Sequence, residues 1–347
     1  MKKVILVTGA AGFIGSHVVQ ALLKRGDAVV GLDNLNDYYS PARKRANRSE
    51  IEREAPDPQQ FRFVEGDVRD RTLVRDLFAE HRFAGVIHLA AMAGVRVSLE
   101  DPYRYYDVNL NGTLVLLDAA AGRGTSSVPG EGRPTFVFAS TSSAYGASQE
   151  IPFVETDPCN RPLAPYAASK RAAELLGYTY HHVYGLDVTV LRFFTVYGPR
   201  GRPDMMAYKV ADSICFGRQV PLYNNGQMYR DWTYVDDIVQ GVVAAVDRSF
   251  GYEVINLGRG EPVLLADFVR RLEQLAGRQA NLVPAPMPET DVPSTYADTG
   301  KARRLLGYAP KFSVDEGVAR FWQWYQQAVL SQAEACTANT ANACSTC

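Results

Sequence analysis

The stretch Val4-Ile5-Leu6-Val7-Thr8-Gly9-Ala10-Ala11-Gly12-Phe13-Ile14-Gly15 runs a short apolar strand straight into three glycines spaced three apart. An amphipathic pattern follows, with Val18, Val19, Leu22 and Leu23 at helical spacing, so a helix is expected over Ser16–Arg25. Strand, glycine turn and helix in that order read as a dinucleotide-binding turn. Gly9 allows the tight exit from the strand, Gly12 removes the side chain where the backbone must approach a pyrophosphate, and Gly15 lets the helix pack closely on the sheet. The helix N-terminus then faces the phosphates. Asp33 closes the next strand, Ala28–Leu32. A carboxylate there accepts hydrogen bonds from ribose hydroxyls and repels a 2'-phosphate, so NAD is expected rather than NADP. Arg43, Lys44 and Arg45 fall in what reads as a later polar loop and are poorer candidates for a 2'-phosphate grip.

Further apolar runs at Phe61–Val64, Val86–Ala90, Phe136–Ala139 and Val188–Phe193 alternate with helical patterns at Thr72–Glu80, Asn109–Ala121 and Tyr166–His181. Alternation of this kind gives an α/β fold, a Rossmann-type doubly wound parallel sheet with helices on both faces. Two connections read as surface loops, Asn34–Gln60 and Gly122–Pro134. Beyond Gly201 the pattern loosens into helices near Ala207–Phe216, Val235–Asp247 and Leu265–Leu275 with short strands. The expected division is therefore a dinucleotide domain over 1–200, with strand and helix exchange at its boundary, a smaller α/β substrate lobe over 201–330 that closes on the carboxyl ends of the strands, and a flexible tail over 331–347.

The chain of 347 residues carries a formal charge of −1, which offers nucleic acid no electrostatic footing. No apolar run approaches the roughly 20 residues a membrane helix needs. Two lysines before an apolar run mimic a signal peptide, but that run is better used as the first strand, and a cytoplasmic address is expected. Cys159 and Cys215 stand alone while Cys336, Cys344 and Cys347 crowd the end; Cys344 and Cys347 lack supporting ligands, so no metal site is expected. Asp236-Asp237 read as an N-cap and helix-dipole charge, and His181-His182 as surface residues at a helix end.

Tyr166 and Lys170 are four apart at the start of a helical pattern and project from one face. An ammonium beside a phenol favours the phenolate, so Lys170 is expected to draw Tyr166 down from its ordinary value. The strand Phe136–Ala139 ends in Ser140-Thr141-Ser142-Ser143, hydroxyls placed where a ligand of an open α/β sheet would lie.

With Gly66-Asp67-Val68, His88-Leu89-Ala90-Ala91, Asn109-Leu110-Asn111-Gly112-Thr113 and Leu191-Arg192-Phe193-Phe194-Thr195-Val196-Tyr197-Gly198-Pro199 added, residues 3–325 resemble the extended short-chain dehydrogenase/reductases, the NAD-dependent epimerase/dehydratase family. The resemblance implies that Tyr166, Lys170 and Thr141 are catalytic, with Lys170 also on the nicotinamide ribose. It implies a cofactor site of Gly9, Gly12, Phe13, Ile14, Gly15, Asp33, Asn34, Asp67, Val68, Leu89, Ala90, Ala91, Asn109, Tyr166 and Lys170, with Asp67 and Val68 flanking the adenine. A homodimer through the Asn109–Ala121 and Tyr166–His181 helices is also implied.

Sugar 4,6-dehydratases of the family carry an Asp-Glu pair after the catalytic Thr, and nucleotide-sugar acid decarboxylases a Glu where this chain has Ser143. Here the pair is Ser142-Ser143, which leaves redox chemistry without elimination. Tyr197-Gly198-Pro199-Arg200-Gly201-Arg202-Pro203-Asp204-Met205 and Ala93-Gly94-Val95-Arg96 resemble the UDP-glucuronate 4-epimerases. A C6 carboxylate calls for a guanidinium, which binds it in a bidentate way. Arg202 is the first candidate and Arg96 the second. The implied UDP-sugar site comprises Arg96, Thr141, Ser142, Ser143, Tyr166, Thr195, Arg202, Tyr223, Arg230 and Asp291, with Arg230 on the pyrophosphate. The expected activity is reversible C4 epimerisation of UDP-glucuronate to UDP-galacturonate through a 4-keto intermediate. The alternatives are a UDP-glucose 4-epimerase, a UDP-glucuronate decarboxylase, or a non-catalytic NAD-binding regulator.

Overall fold

Alternate residues of the first strand, β1 (Val4–Thr8), enter two different cores. Ile5 and Val7 join one apolar cluster and Leu6 the other, as the two-residue period of a strand covered on both faces requires. In the computed structural model, which describes residues 3–123 and 132–330, β1 lies inside a seven-stranded sheet. Its companions are β2 (Ala28–Asp33), β3 (Phe61–Glu65), β4 (Gly85–His88), β5 (Thr135–Thr141), β6 (Val188–Phe193) and an edge strand, Tyr252–Leu257. The order is edge strand, β6, β5, β4, β1, β2, β3, and every pairing is parallel. The chain leaves β1 toward β2 and β3, then returns to its other side with β4. That reversal opens a crevice at the carboxyl ends of β1 and β4, where a ligand of a doubly wound sheet sits.

Helix α1 (Phe13–Arg25) starts at once after the glycine turn, three residues before the expected Ser16, because Gly12 serves as its N-cap. Its Val18, Val19 and Leu22 pack on the Ile5 and Val7 face together with Val235, Ile238 and Val242. On the opposite face Leu116, Leu117, Ala173 and Tyr180 pack with Phe136 and Phe138. Helix α3 (Arg71–Glu80) adds Val74 and Leu77 to that layer.

The segment read as a loop over Asn34–Gln60 contains a second helix, α2 (Pro41–Glu54). Its buried positions Lys44, Asn47 and Ile51 keep helical spacing, but two of the three are polar, so hydrophobic periodicity does not reveal them. Asn47 donates to the Ala11 carbonyl at 2.9 Å and so braces the glycine turn. The expected Asn109–Ala121 helix is split into a π-turn, Asp107–Asn111, and an α-helix, Gly112–Ala120. Most of the Gly122–Pro134 connection, the 331–347 tail and the three C-terminal cysteines lie outside the described residues.

Beyond Gly201 the chain contributes both to the lobe and to the large sheet. The edge strand and the helix Val235–Val246 both serve the dinucleotide side: the strand takes its register from β6, and the helix packs on α1, β4 and β5. β6 continues into Thr195–Tyr197, which pairs with Tyr229–Tyr234 at the centre of a second small sheet, so the lobe grows from the carboxyl edge of the large one. A single core runs from α1 to Trp232 and Phe268. Asp236 and Asp237 sit in the first turn behind Tyr234, which is the N-cap; Asp237 accepts the backbone N–H groups of Lys311 (2.8 Å) and Phe312 (3.2 Å). His181 bonds the Leu186 carbonyl and is half-buried, and His182 is exposed.

Candidate active site

Gly9 adopts a left-handed backbone (φ 68°), and its N–H bonds the Leu32 carbonyl at 2.8 Å, turning the chain away from β1. A Cβ on Gly15 would stand 2.0 Å from the Gly9 carbonyl, so its close approach is to the turn itself rather than to the sheet. A Cβ on Gly12 would meet only the Gly9 carbonyl (3.1 Å) and the Tyr39 hydroxyl (3.9 Å), and it otherwise faces an open cleft. No side chain caps α1, so its first N–H groups are free to receive an anion in that cleft.

The cleft, about 170 Å³, is lined by Gly9, Gly12, Phe13, Ile14, Gly15, Asp33, Asn34, Asp67, Val68, Leu89, Ala90, Ala91, Tyr166 and Lys170. Asn109 is not on its wall. Its side chain holds both backbone groups of Met92 (2.8 and 3.0 Å) and the Ser169 hydroxyl (3.0 Å), which ties the loop after β4 to the Tyr166 helix. Asp33 accepts the N–H groups of Leu35 (2.8 Å) and Ala11 (3.1 Å), and burial pushes its carboxyl upward against the pull of Lys44. Asp67 is drawn down to about 2 by Arg69. His88 is enclosed between Thr8 (2.7 Å) and Thr113 (3.0 Å), and burial keeps it neutral, a brace for the β4 end.

The sequence reading missed Tyr38, Tyr39 and Lys44, all on the same cleft wall. Lys44 lies 4.0 Å from Asp33, not off in a loop, and it donates to Asn36 at 2.8 Å. The Tyr39 hydroxyl is buried with no partner among the described residues. Its signal in the sequence is only its place six residues after Asp33.

A second cavity of about 500 Å³ meets the cleft at Tyr166 and Arg202, which line both. Arg96, Thr141, Ser142, Ser143, Thr195, Tyr223, Arg230 and Asp291 complete the expected set on its wall. Thr290 and Trp232 also line it, and the Thr290 hydroxyl and Trp232 indole N–H are buried without partners among the described residues. Unmatched buried polar groups on a cavity wall point to a ligand that satisfies them.

Tyr166 and Thr141 stand together on the wall of this cavity. Burial pushes the Tyr166 phenol up, and the opposing pull comes from Arg202 and Thr141 rather than from Lys170. The expected effect of Lys170 is missing because its ammonium turns to the Ala139 carbonyl (2.8 Å), over the Phe138 ring. Lys170 is itself lowered to about 7 by burial, with Glu174 opposing. Glu174 is fully buried and holds Ser140, Arg171 and Arg192.

The two arginine candidates separate. Arg202 forks onto Asp204, Nε to Oδ1 at 2.9 Å and Nη2 to Oδ2 at 2.8 Å, beside Tyr166. Arg96 instead donates to Asp291 and lies 4.1 Å over the Tyr223 ring. Arg230 is 3.8 Å from the same Asp291. Arg96 thus joins a cluster of two guanidiniums around one acid, away from the first candidate.

A nucleotide cleft that opens at one tyrosine into a cavity of hydroxyls and guanidiniums defines a nucleotide-sugar enzyme of the extended short-chain dehydrogenase/reductase type. Residues 6–321 match the family model described as GDP-mannose 4,6 dehydratase, and the chain belongs to that family. It is 42% identical over 323 residues to a UDP-glucuronate 4-epimerase of Thermodesulfobacterium geofontis, covering 93% of this chain and 96% of that one. It is 44% identical over 338 residues to UDP-glucuronate 4-epimerase 4 of Arabidopsis thaliana, covering 92% of this chain and 75% of that one. Among solved structures, the UDP-glucuronic acid 4-epimerase of Bacillus cereus in complex with UDP-glucuronic acid and NAD superposes with a TM-score of 0.83 at 34% identity, covering 93% of this chain and 99% of that one.

Proposed function

We propose that this chain is an NAD-dependent UDP-glucuronate 4-epimerase that interconverts UDP-glucuronate and UDP-galacturonate. The observation that carries the reading is the junction of the two cavities, where Tyr166, Thr141 and the Arg202 guanidinium converge and the two positions after Thr141 are serines. The family relatives named above act on UDP-glucuronate.

The residues present suit NAD. The uncapped α1 N-terminus and the unpartnered Tyr39 hydroxyl suit its pyrophosphate, and Asp33 with Lys44 its adenosine ribose. Lys170 would hold the nicotinamide ribose. When bound, NAD supplies the two-electron oxidation of the sugar carbinol and its reversal, ending as it began.

Tyr166 exchanges the C4 hydroxyl proton, with Thr141 bridging phenol and sugar. Proton removal needs the phenolate, which Arg202 favours against the effect of burial. Arg202 holds the C6 carboxylate. That grip matters because a 4-keto uronate is a β-keto acid and loses CO2 when its carboxylate is forced out of the carbonyl plane. Arg230, with Arg96 and Asp291 beside it, holds the UDP end, and Tyr223 supplies a ring at the same place. The sugar turns over between the two proton exchanges while UDP stays fixed.

A second reading, action on a neutral UDP-sugar, is favoured by one observation: Asp204 already matches the charge of Arg202, so an uncharged C6 substituent would not leave it unpaired. The superposition on a UDP-glucose 4-epimerase of Thermotoga maritima, TM-score 0.82 at 31% identity, goes with it. Proton NMR of the purified protein with UDP-glucuronate and no added cofactor tests the main reading. Anomeric signals of UDP-galacturonate are expected. A pentose product would mean decarboxylation, and turnover of UDP-glucose alone would select the second reading.

We also infer a homodimer. Leu99, Tyr103, Leu175, Tyr178 and Val183 are exposed on neighbouring elements around the Pro165–Tyr184 helix, Tyr103 to 87%. Exposed large apolar side chains on elements packed together suit an interface, and light scattering measures the assembly. No helix among the described residues is long and apolar enough to cross a membrane. A cytoplasmic address belongs to the same proposal.

A further inference from the structure

Arg202 is not a free cation awaiting a carboxylate. Its Nε/Nη2 edge is forked on Asp204 (2.9 and 2.8 Å), leaving Nη1 outside that fork, and Arg202 lines both cavities. A guanidinium has a side edge and an end edge, so it can hold one carboxylate on each. Asp204 is itself held by Arg202 and, at 3.4 Å, by the Tyr38 hydroxyl. Gly94 keeps this corner clear: at φ 102° it has no Cβ, and one placed there would stand 2.6 Å from the Tyr38 hydroxyl. Lys209 lines the same cavity and acts on Asp204 through its charge. Two cations and one acid therefore surround the position that a sugar carboxylate would take.

We propose that Asp204 is a positioning residue that sets both specificity and turnover: it aims the outer edge of Arg202 at the sugar and, by sharing the guanidinium's charge, keeps the grip on the C6 carboxylate weak enough to release. The proposal rests on the epimerase reading above. Epimerisation needs that release, because the sugar must present its other face while UDP stays bound. An arginine with no other partner would hold the carboxylate in its first pose. An arginine shared with Asp204 is already oriented, so it loses little freedom on binding, and its attraction is partly spent on the protein's own acid.

The test uses the full chain with its copurified cofactor and two variants, Asp204→Asn, which keeps shape and removes charge, and Asp204→Glu, which keeps charge. UDP-glucuronate and UDP are titrated calorimetrically, and turnover of UDP-glucuronate is followed by NMR. Asp204→Asn should tighten UDP-glucuronate roughly three- to tenfold, leave UDP binding unchanged and lower kcat by a similar factor, since the charge that competed for Arg202 is gone. Asp204→Glu should keep the wild-type balance of KM and kcat. Weaker UDP-glucuronate binding by Asp204→Asn, or like behaviour of the two variants, would overturn the proposal while wild-type turnover preserved the epimerase reading. Absence of UDP-glucuronate turnover in the wild type would overturn both.

Discussion

Replacing Glu174 by Gln tests whether the catalytic helix is anchored by charge from below. Glu174 is fully buried and one turn beyond Lys170. Its carboxylate takes Arg192 on both oxygens (3.0 and 2.7 Å), Arg171 at 3.0 Å and the Ser140 hydroxyl. The Arg192 side chain is 2% exposed and its Nη1 already lacks a partner among the described residues. A glutamine presents an amide N–H₂ where one oxygen received a guanidinium, so a buried cation loses its counterion. Removing one member of a buried pair costs about 3–5 kcal/mol, which at the unfolding entropy of a chain this long is a fall of roughly 4–7 °C in melting temperature. Lys170 should respond as well. Glu174 is the group that opposes the lowering of Lys170 by burial, so its loss moves the alkaline limb of the kcat/KM profile to lower pH. Scanning calorimetry and a pH–rate series measure the two effects, and Glu174→Met with Arg192→Met should recover most of the stability without restoring the limb. A single variant melting within about 1 °C of wild type, or a double variant as unstable as the sum of the singles, would refute the reasoning.

Tyr166→Phe should abolish interconversion while leaving the melting temperature near wild type, because the ring and its packing on Tyr105 remain; retained turnover would remove the phenol from the chemistry. Arg202→Lys should raise KM for UDP-glucuronate at least tenfold with UDP affinity unchanged, since a point charge replaces a two-edged fork, and calorimetry with both ligands separates the two. Lys170→Met tests the burial of an ammonium. Lys170 sits at about 7 in the fold against an ordinary 10.5, so between those values the unfolded chain binds the extra proton and wild-type stability rises with pH. The melting temperature of Lys170→Met relative to wild type should therefore be most favourable at pH 7 and below and should decline toward pH 10; a constant difference would show that the ammonium is not desolvated.

Where local chemistry and fold demanded the same residues, the sequence was readable. The glycine turn, Asp33 at a strand end and Tyr166 four residues before Lys170 all state their geometry in their spacing. Helix α2 was not readable because it buries Lys44 and Asn47 against the cofactor cleft instead of apolar groups, so no hydrophobic stripe marks it. Tyr38, Tyr39 and Lys44 went unnoticed with it. The edge strand Tyr252–Leu257 was lost for another reason: it joins the large sheet after an excursion of some sixty residues through the lobe, and only its pairing with β6 reveals where it belongs. Charge partnership was the least visible. Arg202 and Asp204 stand two apart in an irregular segment, and Arg96 meets Asp291 across 195 positions, so neither pairing follows from any helical or strand period.

The two ends of the substrate cavity are built with unequal grips, and that inequality is what a 4-epimerase needs. At the proposed UDP end Arg96 and Arg230 share one acid, Asp291, which leaves cation in excess for a pyrophosphate. Burial weakens the proton hold of Arg230, a sign of how poorly its charge is solvated before an anion arrives. At the sugar end the guanidinium already has a carboxylate on it, and the spare charge sits on Lys209, a flexible point charge without a fork. A substrate held hard at the nucleotide and lightly at C6 can turn its ring without leaving. Equal strength at both ends would give a tight complex that keeps one face of the sugar ring toward the cofactor cleft, and C4 could not invert.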